Sequence, residues 1–209
     1  MRFYFIKTPR ILKQLLSKYT WSFFSDKKEI YLTFDDGPIP EVTEFVLEQL
    51  QQFNAKATFF CIGDNIQKHP SIFSRIVNEG HSVGNHTFNH LNGWKSSNTT
   101  YYENIDKCES LLSNQKTKLF RPPYGKIKNS QAKQLIVKGY KIIMWDVLSA
   151  DFDKSISKEN CLQNVLRNTQ NGSIVVFHDS IKASDKLYYT LPILLQEFSG
   201  RGYEFKVIT

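Results

Sequence analysis

Short apolar runs alternate with stretches of helical periodicity along most of this 209-residue sequence. Residues 41–52 show the helical pattern well, because their apolar side chains repeat every few positions among polar ones. Strands joined to such helices by short turns are typical of a parallel α/β architecture. The predicted strands are residues 30–32, 57–62, 81–84, 140–145, 173–177 and 203–208. The predicted helices are residues 41–52, 70–79, 99–112, 130–138, 159–169 and 187–198.

The size and composition of the chain fit one globular domain. Hydrophobic residues make up 41% of the 209 residues, which is enough to build a sizeable core. The three cysteines are far apart and form no CxxC pair. This predicts free, buried thiols and a reducing compartment. The sequence carries no signal for the oligomeric state.

The positive charge of the chain is concentrated at its N-terminus. Residues 1–28 carry seven basic side chains against Asp26, a net charge of +6. The remaining residues, 29–209, hold 20 basic and 19 acidic side chains, a net charge of +1. A nucleic-acid-binding domain is expected to carry a basic surface on its folded body, so we predict no nucleic-acid partner. We divide the chain into a basic amphipathic leader, residues 1–28, and a main domain, residues 29–209.

The leader has two interpretations. It shows neither a signal peptide nor the ~20 apolar residues that a membrane-spanning helix needs. Pro9 can begin a helix whose apolar residues recur at helical spacing as far as Tyr19. This segment either packs on the domain, which we favour, or makes peripheral contact with an anionic membrane. The protein is accordingly predicted to be cytoplasmic or at the inner face of the membrane.

Two adjacent carboxylates, Asp35 and Asp36, lie where the first predicted strand ends. Neighbouring side chains on a strand point to opposite faces, so both can reach one site only if the backbone bends, and Gly37 permits a bend. Two crowded carboxylates repel each other unless a proton or a cation lies between them. The carboxyl end of a strand is also where reactive groups gather in parallel α/β folds. An acidic turn without a function is the alternative.

His86 and His90 follow the predicted strand at residues 81–84. On a helical turn, imidazoles four residues apart lie on one face and can bind one cation. Asp36 or Asp35 could supply a third, anionic ligand. Two histidines and one carboxylate leave coordination positions open, which is typical of a catalytic rather than a structural zinc site.

Two further polar groups follow predicted apolar segments. Arg121 comes before two prolines that stiffen the backbone and leave the N–H of Tyr124 free to face a ligand. Arg121 suits a charge-assisted pair with a catalytic carboxylate, or it is an incidental arginine on a rigid surface loop. His178 ends the predicted strand at residues 173–177, and a capping or core-edge histidine is the alternative there.

Five motifs, taken in their order along the chain, resemble those of the polysaccharide deacetylases, carbohydrate esterase family four. The motifs are Thr33-Phe34-Asp35-Asp36-Gly37, His86-Thr87-x-x-His90, Arg121-x-Pro123-Tyr124, Asp151-Phe152 and Val176-x-His178. The resemblance runs from about residue 29 to the C-terminus and leaves out the leader. It implies a distorted (β/α)₇ barrel of the polysaccharide-deacetylase type, an α/β fold, with residues 29–209 as the catalytic domain.

The resemblance also implies a metal centre with a general base beside it. Asp36, His86 and His90 would bind one divalent metal ion, usually Zn²⁺, although Co²⁺ and Ni²⁺ suit the same ligands. Asp35 would be the general base that deprotonates the attacking water. Arg121 would hold and orient Asp35.

The remaining roles implied by the resemblance concern the leaving group and the acetyl group. His178 would be the general acid that protonates the leaving amine, and Asp151 would keep it charged. The backbone N–H of Tyr124 would stabilise the oxyanion. Phe152 and Val176 would line the acetyl pocket, where the family usually has Trp and Leu, so the shape of this pocket is expected to differ.

The implied activity is removal of N-acetyl groups from N-acetylhexosamine units of a glycan or glycan precursor. Peptidoglycan, a chitin-like oligomer and a lipid-linked sugar are the expected kinds of substrate. Two alternatives stay open at this point. The same metal site could hydrolyse another amide or ester, such as a cyclic imide or an O-acetyl group, or the chain could be a non-catalytic carbohydrate-binding module.

Overall fold

A computed structural model describes residues 4–112 and 118–209 of the chain. The strands within these residues are β1 Glu29–Asp35, β2 Ala57–Cys61, β3 Ser82–Asn85, β4 Leu119–Phe120, β5 Lys141–Ile142, β6 Val147–Leu148, β7 Ile174–His178 and β8 Glu204–Phe205. The helices are α1 Arg10–Leu15, α2 Val42–Gln52, α3 Gly63–Lys68, α4 Pro70–Asn78, α5 Asn98–Glu109, α6 Asn129–Val137, α7 Lys158–Asn168 and α8 Ser184–Gly200. Two short 3₁₀ turns, Gly93–Lys95 and Pro123–Gly125, follow β3 and β4.

The strands form one parallel sheet whose order is β5-β4-β3-β2-β1-β7-β6, with β8 paired to β1. This is the cyclic sequence order of a barrel with a gap between β5 and β6. All the strands on this path run the same way, so their carboxyl ends lie at one edge of the sheet. Asp35 and His178 are register partners on neighbouring strands at that edge.

The two faces of β1 show how the sheet separates the core from the site. Ile30, Leu32 and Phe34 point outward and are fully buried in the largest hydrophobic cluster. The ring of Phe34 lies 5.2 Å from that of Phe59 and 6.0 Å from that of Phe177, measured between centroids. Burial of each such side chain contributes about 1.5–3 kcal/mol. The alternate residues of β1 point into the barrel, and Asp35 is the last of them.

Two predicted strands are shorter in the structure, and β4, β6 and helix α3 were not predicted. The strand predicted at residues 140–145 is only two residues long as β5, because the chain turns there and continues directly into β6. The closing strand predicted at residues 203–208 pairs with β1 over Glu204 and Phe205 alone. Helix α3 was not predicted, since its six residues contain little apolar periodicity and begin at a glycine.

The leader, over its described residues, packs along the gap between β5 and β6. Lys7 forms an antiparallel bridge with Val147, and Thr20 forms a parallel bridge with Ile143. Leu12 and Leu16 of the leader pack on a buried cluster that includes residues of α6 and β5. Helix α1 thus covers the part of the sheet where the β5–β6 connection has no helix of its own.

Within the residues that the structure describes, every helix is too short or too polar to cross a lipid bilayer.

Candidate active site

The backbone bends at the end of β1, so that both adjacent carboxylates face the same site. The bend lies at Asp36, whose φ is 88°, and not at Gly37 as the sequence suggested. Asp36 therefore carries a left-handed conformation that is uncommon for a residue with a side chain. Gly37 is required for a different reason. A Cβ atom there would lie 1.9 Å from Oδ2 of Asp179.

Arg121 lies inside the barrel, fully buried beneath Asp35. Its Nη1 donates to Oδ1 of Asp35 over 2.6 Å and to the hydroxyl of Thr33 over 2.7 Å. Its Nε and Nη2 donate to the carbonyl oxygens of Ile143 and Met144. Because every side of the guanidinium has a partner, it fixes the carboxylate of Asp35 in one orientation. The predicted pairing of Arg121 with a carboxylate is therefore present, and its partner is Asp35.

Asp36, His86 and His90 come together at the carboxyl edge of the sheet. Oδ1 of Asp36 lies 3.7 Å from Nε2 of His86 and 3.3 Å from Nε2 of His90. One ligand atom from each residue lies within 4.8 Å of the others. Nδ1 of His86 is 2.8 Å from the carbonyl oxygen of Arg121, so Nε2 presents its lone pair to this cluster when Nδ1–H donates.

The histidine pair does not lie on a helical turn, contrary to the expectation from its spacing. Residues 86–90 form an irregular loop in which Thr87 and His90 have φ values of 64° and 58°. The side chain of Asn85 accepts a hydrogen bond from the N–H of Thr87, and that of Asn104 accepts one from Phe88. These side-chain acceptors take the place of helical hydrogen bonds and bring both imidazoles to one side.

The donor set of this cluster fits a divalent metal ion. Oδ1 of Asp36 is buried and has no hydrogen-bond partner among the described residues. A buried carboxylate oxygen without a partner is costly, so this oxygen is suited to binding a cation. Burial lowers the pKa of His86 to about 3, and burial also lowers the pKa of His90. Neutral imidazoles and a carboxylate are the forms that bind zinc.

His178 faces the same edge from β7, and Asp151 holds it. Nδ1 of His178 is 2.7 Å from Oδ1 of Asp151, and the backbone N–H of His178 donates to Oδ2 over 2.7 Å. Burial alone would lower the pKa of His178, but the charge and hydrogen bond of Asp151, together with the charges of Asp36 and Asp35, outweigh it and raise the pKa to about 9. His178 is therefore charged at neutral pH and able to donate a proton from Nε2.

Two aromatic rings border the site on opposite sides. The ring of Tyr124, 61% exposed, lies 4.5 Å from that of His90, and its φ of 61° is left-handed. The ring of Phe152 lies 5.1 Å from that of His178 and 5.7 Å from that of Tyr4. Tyr4 of the leader thus makes an edge-on aromatic contact with Phe152, the ring that lies beside His178.

Val176 is buried on β7 two positions before His178, so both side chains project from the same face of the sheet. Each of the ten residues singled out from the sequence therefore lies on this edge of the barrel or directly beneath it.

Asp179 has a place in the site that the sequence analysis did not assign. It is fully buried and accepts hydrogen bonds from the N–H of Gly37 over 2.9 Å and from the hydroxyl of Thr43 over 2.6 Å. Burial raises the pKa of Asp179 to about 8 in spite of these two donors. Its side chain links the loop after β7 to the loop after β1. The position of Asp179 directly after His178 was the sequence feature that could have identified it as part of the site.

Comparison with known proteins agrees with this geometry. Residues 25–143 match the family model described as polysaccharide deacetylase. A peptidoglycan-N-acetylglucosamine deacetylase of Bacillus cereus is 37% identical over 89% of this chain and 76% of the relative. A peptidoglycan-N-acetylmuramic acid deacetylase of Bacillus subtilis is 28% identical over 88% of this chain and 38% of the relative.

Among solved structures, the crystal structure of the Bc1960 peptidoglycan N-acetylglucosamine deacetylase superposes with a TM-score of 0.87 at 34% identity. The match covers 96% of this chain and 95% of that structure, which confirms the predicted barrel of parallel strands surrounded by helices. The family model spans more than half of the chain, and the Bacillus cereus relative is matched over most of its length. The chain therefore belongs to the polysaccharide deacetylase family, carbohydrate esterase family four, and is a polysaccharide N-deacetylase.

Proposed function

We propose that this protein removes the acetyl group from N-acetylglucosamine units of peptidoglycan or of its glycan precursors. The observation that carries the proposal is the cluster of Asp36, His86 and His90 together with two ion pairs at the same edge of the sheet. One pair is Asp35 with Arg121, and the other is Asp151 with His178. An amide needs both activation of the attacking water and protonation of its leaving nitrogen, and these two pairs suit those two tasks.

Asp36, His86 and His90 would hold one divalent metal ion, with Zn²⁺ as the first choice and Co²⁺ or Ni²⁺ as alternatives. When bound, such an ion supplies Lewis-acid polarisation of the acetyl carbonyl and lowers the pKa of a coordinated water. The buried, unpartnered oxygen of Asp36 and the neutral state of His86 support this assignment.

Asp35 and His178 carry out the two proton transfers of the reaction. Asp35 accepts the proton of the attacking water as general base, and Arg121, which also donates to the hydroxyl of Thr33, keeps its carboxylate in place. His178 gives a proton from Nε2 to the departing amine, because Asp151 holds Nδ1 and keeps the ring charged. Asp35 thus takes up a proton and His178 gives one, and the two residues lie side by side on neighbouring strands.

The backbone N–H of Tyr124 is proposed to stabilise the oxyanion, and Phe152 and Val176 to line the acetyl pocket. Tyr124 follows two prolines in a left-handed conformation, which turns its peptide relative to the rest of the loop. The contact between Phe152 and His178 supports a position beside the departing group. With Phe152 and Val176 as its lining the pocket is apolar. Rates on substrates that carry acyl groups larger than acetyl would measure its size.

The choice of N-acetylglucosamine follows the names of the relatives. The Bacillus cereus relative named for N-acetylglucosamine is 37% identical, whereas the Bacillus subtilis relative named for N-acetylmuramic acid is 28% identical. Hydrolysis of a cyclic imide or an O-acetyl ester at the same site remains the alternative in reaction class. Substrates of these classes therefore belong in one panel.

The test is acetate release by the zinc-loaded protein from N-acetylglucosamine oligomers, peptidoglycan, nucleotide-linked sugars, an O-acetyl ester and a cyclic imide. We expect release from the N-acetyl substrates, with a loss of about 10²–10⁴ in rate for Asp35→Asn and for His178→Asn. Asp106→Asn, a change in an exposed acid on α5, is the control. Hydrolysis of the ester or the imide alone would overturn the proposal, as would full activity of Asp35→Asn.

The cellular location and the role of the leader are proposals as well. We infer that the leader is a structural part of the domain, because Lys7, Thr20 and Ser22 bridge to residues in or beside the barrel strands. A chain lacking residues 1–24 is then expected to unfold or aggregate. If it stays folded and loses affinity for anionic vesicles, the leader is instead a peripheral membrane contact. Cell fractionation tests the predicted location in the cytoplasm or at the inner face of the membrane.

A further inference from the structure

We propose that Asp179 positions the metal site: it holds the backbone at Gly37 so that the carboxylate of Asp36 faces His86 and His90. This inference rests on the proposed function, because it concerns the affinity of that cluster for its ion. Asp179 is fully buried, and its carboxylate accepts from the N–H of the residue that follows Asp36. Asp179 therefore acts on the site through the backbone beside a ligand residue.

Asp36 depends on its neighbours for its backbone conformation. Its φ of 88° lies in the left-handed region, where a residue with a side chain persists only if the surrounding structure holds it. The N–H of Asp36 donates to the carbonyl oxygen of Phe60 over 3.3 Å, and its carbonyl oxygen accepts from the side chain of Asn65 over 2.7 Å. Both polar groups of this residue's backbone thus have partners, on β2 and on α3.

Gly37 follows the bend and is held from two sides. Its N–H donates to Oδ1 of Asp179 over 2.9 Å, and its carbonyl oxygen accepts from the N–H of Ile62 over 3.0 Å. Two of the four hydrogen bonds to the backbone of Asp36 and Gly37 come from side chains, those of Asp179 and Asn65. Substitution of either side chain therefore removes one support of the bend and leaves the backbone hydrogen bonds in place.

Asp179 is itself anchored firmly enough to hold Gly37. The hydroxyl of Thr43 donates to its Oδ2 over 2.6 Å, and that hydroxyl accepts from the N–H of Ile39 over 2.9 Å. The N–H of Asp179 donates to the carbonyl oxygen of Asp35 over 3.0 Å. The carboxyl group also occupies the place that a Cβ atom on Gly37 would need. Asp179 thus connects the end of β7 to the end of β1 and to the start of α2.

The Asp179→Ala substitution is expected to raise the dissociation constant for Zn²⁺ about 10–100-fold, the usual effect of removing a partner that orients a metal ligand. It leaves the buried N–H of Gly37 without its acceptor, so the bend loses a hydrogen bond that directs Asp36 at the histidines. Asp179→Asn is the conservative variant. Its amide oxygen can accept from Gly37 and its amide N–H can donate to the hydroxyl of Thr43, so the dissociation constant should stay within about twofold of the parent value.

The measurement is competition for Zn²⁺ between the protein and a chromogenic chelator, which requires no turnover. Asn65→Ala removes the other side-chain support of the bend and should also weaken Zn²⁺ binding. Asp146→Ala is the matched control, because Asp146 is another buried acid that accepts a hydrogen bond, in this case from Ser173 beside the amino end of β7. We expect this control to lose stability and to keep the dissociation constant within about twofold of the parent value.

Parent affinity in Asp179→Ala, or equal weakening in Asp146→Ala, would overturn the inference and leave the proposed function intact. If Asp179→Ala does not fold, Thr43→Val takes its place, because it removes the donor to Oδ2 of Asp179. Thr43→Val should raise the dissociation constant about threefold or more, and an unchanged value would overturn the inference.

Failure of the parent protein to bind Zn²⁺ would instead overturn the metal assignment. Hydrogen exchange in the metal-free proteins then decides whether Asp179 holds the bend, because it requires no ion. Residues 36–44 should exchange faster in Asp179→Ala than in Asp179→Asn and Asp146→Ala, since the first variant alone frees the N–H of Gly37. Equal exchange in the three variants would overturn the inference.

Discussion

At the scale of single residues, Asp35 and His178 are register partners on adjacent strands, and each forms an ion pair with a residue of its own. Arg121 donates to Asp35 from inside the barrel, and Asp151 accepts from His178 on the other side. Each partner is fully buried, so neither interaction is weakened by water. Arg121 therefore fixes the orientation of the proposed general base, and the raised pKa of His178 keeps the proposed general acid protonated at neutral pH.

The Asp151→Asn substitution is expected to shift the alkaline limb of the pH profile of kcat/KM to lower pH. The charge of Asp151 raises the pKa of His178 to about 9 against the effect of burial, which lowers it. Without that charge the pKa of His178 falls, because only the charges of Asp36 and Asp35 then oppose the effect of burial. Because a general acid works only below its own pKa, activity is then lost at lower pH.

The measurement is acetate release across the pH range for the parent protein and the variant. Asp153→Asn, which changes a carboxylate in the same loop that accepts from Tyr4 instead of His178, serves as the control. An alkaline limb at the same pH in Asp151→Asn would mean that another group controls it.

At the scale of elements, the leader fills a place that the repeating strand–helix pattern leaves open. Residues 143–146 join β5 directly to β6, so no helix covers this part of the sheet. Helix α1 covers this part of the sheet, and ion pairs with Asp146 hold the leader in place. The carboxylate of Asp146 is 1% exposed and pairs with Lys7 over 2.6 Å and with Lys13. The hydroxyl of Ser173 also donates to it over 2.6 Å.

Asp146→Ala is expected to lower the free energy of unfolding by about 2 kcal/mol, because it removes the common acceptor of Lys7, Lys13 and Ser173. The lysines are partly exposed, which limits the loss. The measurement is urea denaturation. Asp106→Ala, which breaks the exposed pair with Lys138, is expected to change the free energy by less than about 0.5 kcal/mol. Equal effects of the two variants would show that Asp146 does not fasten the leader.

At the scale of the whole molecule, the fold brings side chains from distant parts of the chain to one edge of the sheet. Asp36 follows β1, His86 follows β3 and His178 ends β7. The residues proposed to hold the metal ion, Asp36, His86 and His90, meet only in the folded chain, so an ion that binds them binds the folded state and not the unfolded one. Binding and stability are therefore linked.

Zinc at about 100 times its dissociation constant is expected to stabilise the protein by about 2.7 kcal/mol. For a chain of this size that corresponds to a rise in the melting temperature of roughly 5–10 °C. Calorimetric or fluorescence melting with and without a chelator measures it. His86→Ala should abolish the rise, whereas His69→Ala, a histidine outside the metal cluster, should keep it. A rise of equal size in both variants would contradict the assigned ligands.

The apolar periodicity of the sequence was sufficient to predict the parallel α/β class and most of the strands around the site. Because parallel strands end at one edge of a sheet, the sequence also predicted that Asp35, His86 and His178 lie close together. The resemblance to the polysaccharide deacetylases added the roles. The predictions of the fold class and of the strand ends succeed because hydrophobic patterns and strand ends are local properties of the chain, whereas the roles stay predictions.

Only the tertiary structure decided the local backbone of the site. The left-handed conformations of Asp36 and His90 and the part taken by Asp179 could not be obtained from the spacing of residues. Nor could the packing of α1 over the β5–β6 gap. Each of these features depends on hydrogen bonds or contacts with residues far away in the sequence, and such partners are defined only once the barrel has formed.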